Sequence, residues 1–182
     1  HLSVIDRATR TSKPVASIGS GDSMWLQLRP AILGAVDGTI TSFAVIATGF
    51  AGAVSKHSVL VIGFGSLFAD AVSMASGEYL SVRGEGLPWV CAMRNGIVCG
   101  VAFVAAGCLP LLIYALMPSG VLAVLLTCCG FFACLVAIGL TRASFSTDGG
   151  HYSRDIIEVC GVGAAAGAVA VAAGLIGRGA EA

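Results

Sequence analysis

Apolar residues run along the chain in five long blocks, about Pro30–Ala53, Ser58–Val82, Ala92–Met117, Val121–Thr141 and Val159–Gly177, with short polar breaks between them. Each block can cross a hydrocarbon core of ~30 Å as a helix rising 1.5 Å per residue. None shows the every-second-residue alternation of a barrel strand, and an open sheet cannot satisfy its backbone in lipid. The pattern predicts an all-α integral membrane protein with five transmembrane helices. A mobile polar tail is expected over residues 1–27, a membrane domain over 28–178 and a short C-terminal tail over 179–182.

Composition strengthens this picture. Hydrophobic residues make up 57% of the 182, charged residues 11%, and mean hydropathy is +0.93. Soluble domains carry about 25% charged residues. An ordinary soluble enzyme and a disordered tail are therefore excluded. Ten Lys and Arg balance ten Asp and Glu, leaving no basic face for a nucleic-acid partner. The lipid bilayer is the expected surrounding, and no prosthetic group is expected. The seven cysteines are odd in number, lack a CxxC spacing and sit in or beside the apolar blocks, so they read as packing residues rather than disulfides. The first residue is His1, as in a processed chain or a fragment, and no signal-peptide core precedes the first block.

The basic residues set an orientation. Arg7, Arg10, Lys13, Arg29, Arg83, Arg94, Arg142 and Arg154 fall on one side of the predicted spans, and Lys56 and Arg178 on the other. The positive-inside rule then places the N-terminus in the cytosol and the C-terminus in a lumen or outside. Small residues recur at four-residue spacing: Gly34 and Gly38, then Ala69, Ser73 and Gly77, then Gly96 and Gly100, then Gly163 and Gly167. Such faces let helix backbones approach, within a chain or between copies.

Three acids stand where lipid disfavours them. Asp37 is in the first span, and Asp70 and Glu78 are in the second. A buried acid costs a few kcal/mol on insertion scales, so it should face a bundle interior or a wet path. Asp70, Met74 and Glu78 are spaced i, i+4 and i+8, on one helix face. Measured from the basic edges, Asp37 lies ~12 Å and Met74 ~13 Å deep, which places them level. Carboxylates alone suit Mg²⁺ or Ca²⁺, whereas a thioether among them suits a softer divalent ion such as Fe²⁺. The acids can also exchange protons, which would couple metal movement to a pH gradient. The competing readings are Met74 as packing filler and the aspartates as hydrogen-bond acceptors for nearby Ser or Thr.

At these residues the chain resembles the vacuolar iron transporter family. RPAILGAVDGTITSFAVIATGFAGA (Arg29–Ala53) is similar to that family's first span, and GSLFADAVSMASGEYLS (Gly65–Ser81) to its second, the most distinctive. MRNGIVCGVAFVAAGCLPLL (Met93–Leu112) and GLTRASFS (Gly139–Ser146) resemble parts of the third and fourth. The resemblance implies a homodimer that moves Fe²⁺, and often Mn²⁺, out of the cytosol into a vacuole or other acidic organelle, or across a plasma or inner membrane, in exchange for H⁺. It implies a path between the subunits, lined by the first two spans, with Asp37, Asp70, Met74 and Glu78 along it. Some bacterial members carry a ferritin-like domain upstream, so an iron-storage protein, upstream or separate, is a further implied partner. Three positions depart from the family pattern: Val36 for Asn, Ser66 for Asn and Ala71 for Gly. The cytosolic metal-binding domain that many members insert between spans two and three is missing, since only Arg83 to Cys91 separate them.

A weaker cluster lies in TDGGHYSRDIIE, where His151, Asp155 and Glu158 are spaced for one helix face at the cytosolic mouth. They could receive an ion there, or simply begin a helix whose dipole favours acids. Two rival functions accompany the metal carrier. A non-transporting membrane anchor or scaffold for an iron-storage partner explains the spans but not the acids. An intramembrane aspartyl protease needs two carboxylates sharing a proton, and neither aspartate stands in a GxGD segment.

Overall fold

A computed structural model describes residues 20–118, 120–145 and 152–180, with side chains from Leu28 onward except those of Phe145 and Tyr152. It contains five helices: α1 (Ser20–Ala51), α2 (Lys56–Gly84), α3 (Trp89–Leu116), α4 (Val121–Phe145) and α5 (Tyr152–Gly179). All five are long and apolar enough to cross a membrane. The protein is an integral multi-pass membrane protein of all-helical fold. Of the segment expected as a tail, residues 20–27 are helical, and α1 carries Pro30 in its interior. Residues 1–19 lie outside the described set.

The connections are tight. Ser55 caps α2 by accepting from the Ser58 amide at 3.2 Å. At its other end α2 stops in a turn with Gly86 at φ +80°, a conformation that glycine adopts at little cost. Arg83 closes that turn by donating to the Leu87 carbonyl at 2.9 Å. No domain is inserted between α2 and α3. Lys56 donates to the carbonyls of Ala115 and Met117 and lies 5.6 Å over the Tyr114 ring, so a cation sits on the C-terminal dipole of α3.

Helix α1 is the axis of the bundle. It touches all four others, while α2, α3, α4 and α5 form an arc around it in chain order. The arc does not close, because α2 and α5 are not in contact. Contacts between glycines and backbone fix the directions. Gly34 meets Cys99 and Gly38 meets Phe103, so α1 and α3 run parallel. Gly96 meets Ala75 and Gly100 meets Ala71, so α2 and α3 run antiparallel. Gly174 and Gly52 meet where α5 runs alongside α1, a crossing tied by Thr48 Oγ1 donating to the Ala170 carbonyl at 2.9 Å. Arg29, Arg83, Arg94, Arg142 and Arg154 consequently gather at one end, with Lys56 and Arg178 at the other.

Two apolar clusters fill the arc. One joins α1, α2, α3 and α4 through Ile46, Leu67, Phe103, Leu111 and Ala123, with Met74 packed on its edge. The other joins α1, α4 and α5, where Phe43 stacks on Phe131 at 4.1 Å. Three of the four small-residue motifs are spent on packing within the chain. The exception is Ala69, Ser73 and Gly77 of α2, which are exposed, with nothing within 4 Å of a Cβ added at Gly77. All seven cysteines are free.

Candidate metal-conducting site

Asp37 stands on the one face of α1 that no other helix covers. Gly34 and Gly38 turn toward α3, and Phe43 and Ala47 toward the α4 and α5 side. On the remaining face Leu33 is exposed and Asp37 and Thr41 are partly exposed, with Ala44 and Thr48 at the edge where α5 comes in. These positions recur at helical spacing and look out through the gap between α2 and α5. The lower half of the gap is a cavity of about 530 Å³, bounded by Thr41 and Thr48 of α1, Val59 and Ile62 of α2, and Gly174 and Arg178 of α5.

On α2 the acids share the inward side of the helix. Leu67, Ala71 and Val82 of that side are buried, while Val61, Phe68, Val72 and Leu80 face outward. Asp70, Met74 and Glu78 fall within the inward arc and are partly exposed, because α1 does not close over them. The exposed stripe of Ala69, Ser73 and Gly77 borders this arc.

The depth expected for Asp37 needs correction. Register carried through α3 pairs Gly38 with Phe103 and Gly100 with Ala71, which brings Asp37 level with Asp70 rather than Met74. The misplacement arose from using basic residues as depth marks. Their long stems snorkel, so they locate an interface only to within about a turn.

None of the three acids forms a hydrogen bond or ion pair with a described residue. The nearby hydroxyls return to their own helices: Thr39 donates to Ala35 at 2.7 Å, Ser66 to Gly63 at 3.1 Å and Ser76 to Val72 at 2.8 Å. The reading of the aspartates as acceptors for Ser or Thr therefore finds no partner here. Nor do three His, Cys, Asp or Glu side chains converge within one protomer closely enough to hold a metal, among the described residues.

Asp155 and Glu158 behave differently. Arg142 of α4 reaches Glu158 at 3.2 Å and Asp155 at 3.8 Å, so these acids tie α5 to α4. His151 lies outside the described residues. The motif reading passed over Thr41 and Thr48 on the acid-bearing side of α1, and Cys99 on α3. Thr41 and Thr48 follow Asp37 at i+4 and i+11, a spacing that would have found them. Cys99 is fully buried on α3, in the electrostatic field of Glu78 and Asp37, and only the tertiary contact reveals this.

A helical bundle of five spans, with carboxylates of α1 and α2 that pair with no described residue, has the form of a membrane transport protein rather than an enzyme. Comparison with known proteins makes the class specific. The sequence model of the VIT family matches residues 28–88 and 85–175, and the chain belongs to that transporter family. It is 40% identical over 58 residues to a vacuolar iron transporter of Toxoplasma gondii, covering 32% of this chain and 19% of that protein. It is 41% identical over 54 residues to a vacuolar iron transporter of Plasmodium falciparum, covering 30% and 20%. Vacuolar iron transporter homolog 4 of Oryza sativa subsp. japonica is 44% identical over 62 residues, covering 34% and 28%. The aligned stretches thus span under a third of each relative.

Proposed function

We propose that this protein moves a divalent transition metal, Fe²⁺ and also Mn²⁺, across a membrane away from its Arg-rich, cytosolic side, in exchange for protons. Asp37, Asp70 and Glu78 supply the charge that replaces water around the ion. Met74 supplies a soft donor that disfavours Mg²⁺ and Ca²⁺. The same carboxylates take up protons on the return. Family membership and the names of the relatives support metal as the cargo.

The observation that carries the reading is the uncovered face of α1. Carboxylates in lipid are retained where they line a path, and these have no partner among the described residues of their own protomer. A homodimer supplies the missing wall: a second copy seated on the stripe of Ala69, Ser73 and Gly77 would bring two sets of acids face to face. Asp155 and Glu158, engaged by Arg142, stand outside this path. A vacuole or another acidic organelle is the fitting destination, since its proton gradient drives the exchange. A scaffold for an iron-storage partner would have no use for unpaired acids inside the bilayer.

The test is flux into proteoliposomes with Fe²⁺, Mn²⁺, Ca²⁺ and Mg²⁺ at several imposed pH differences. Uptake of Fe²⁺ that rises with internal acidity, with little Ca²⁺ or Mg²⁺ uptake, is the expected result. Equal movement of all four ions, or no response to the gradient, would overturn the selectivity or the coupling respectively.

A further inference from the structure

A second cavity, of about 320 Å³, lies at the Arg-rich end on the α5 side of α1. Its walls are apolar, formed by Leu33 and Val36 of α1 and Val162 of α5 among others, and it has Arg29, Arg142 and Glu158 among its lining residues. Leu33 and Val162 are both exposed, so the slot opens sideways, toward lipid, rather than into the bundle. Arg29 is exposed and has no acidic partner among the described residues. Arg142 is held in position by Asp155 and Glu158, yet a guanidinium carries five N–H donors, and two carboxylate contacts leave some of them free. Exposed Arg154 lies on the first turn of α5, one turn beyond Glu158, so among the described residues three cations (Arg29, Arg142 and Arg154) stand against two acids (Asp155 and Glu158) at the Arg-rich end of α1, α4 and α5.

An apolar trough capped by excess positive charge complements an amphiphile with an anionic head. We infer that the slot binds an anionic phospholipid of the leaflet at the Arg-rich end. Its phosphate would rest on Arg29 and Arg142, and one acyl chain would lie along Leu33, Val36 and Val162. Guanidinium groups match phosphate in charge and in donor geometry, and basic pockets between spans select anionic headgroups. The lipid would brace α1 one turn from Asp37. The inference does not depend on the identity of the transported ion.

The experiment is thermal unfolding of the full chain in detergent, titrated with phosphatidylglycerol, phosphatidylcholine or inorganic phosphate. Phosphatidylglycerol should raise the midpoint, while phosphatidylcholine and phosphate should not. Arg29→Gln should weaken phosphatidylglycerol binding about fivefold, the effect of one interfacial arginine. Val162→Phe, which fills the trough and leaves both arginines, should also weaken it. Equal stabilisation by phosphatidylcholine would show a non-specific lipid effect, and stabilisation by phosphate alone a free-anion site. Either result overturns the inference, as does unchanged phosphatidylglycerol affinity in both variants.

Discussion

Asp155 and Glu158, near the start of α5, both meet Arg142, whereas Asp37, Asp70 and Glu78, inside the bundle, meet no cation and no hydroxyl among the described residues. The two sets have the same chemistry and opposite circumstances. The outer acids stand at an end of the bundle where water can reach them, and they join two helices. The inner acids stand within membrane-spanning helices and pair with no described residue. Placement in lipid is costly for a carboxylate, so the unpaired set cannot be explained by stability. Under the proposed function, the contrast separates acids that hold the fold from acids that would serve a passing ion.

The sharpest way to break this contrast is Asp37→Asn. Fe²⁺ flux should fall about 30-fold or more, the effect of removing a charged ligand worth about 2 kcal/mol, with expression and thermal midpoint retained. Unchanged flux would return Asp37 to the structural group. Gly38→Val probes the neighbouring, α3-facing side of the same helix turn. Its side chain would enter the Phe103 backbone, and stability should drop by about 1–3 kcal/mol in a detergent unfolding assay. An unchanged midpoint would mean that α1 and α3 are not pressed together there.

Met74→Ala should sharpen the contrast within the inner set. Competition assays should show Fe²⁺ losing about tenfold of its preference over Mg²⁺, equivalent to about 1.4 kcal/mol. The smallest effect belongs to the outer acids. Glu158 is 57% exposed, so Glu158→Gln should cost no more than about 0.2–1 kcal/mol of stability and leave flux near the parent level. A flux loss as large as that of Asp37→Asn would place Glu158 on the ion's route.

Much of the site was legible because helical spacing is a local property. Asp70, Met74 and Glu78 recur every four residues, and the structure finds them on one side of α2. Depth was less legible, since register between helices depends on which glycines meet which carbonyls, not on distance from a basic residue. The fate of Asp155 and Glu158 was hidden for a similar reason: Arg142 precedes them on a separate helix, and nothing local shows that its guanidinium turns back to them. Cys99 looked like any other apolar-block cysteine until α1 and α2 were packed around it.

The order of apolar blocks and polar breaks determined the five helices and their membrane-spanning character, because a backbone in lipid must bond to itself and a 20-residue apolar run does so as a helix. It also determined which side chains share a helix face. Tertiary structure alone decided that α1 became the axis, that the arc around it stayed open between α2 and α5, and that the acids faced that opening. Those outcomes turn on close backbone contacts at Gly34, Gly38, Gly96, Gly100 and Gly174, where the absence of a Cβ permits an approach but the sequence does not name the partner.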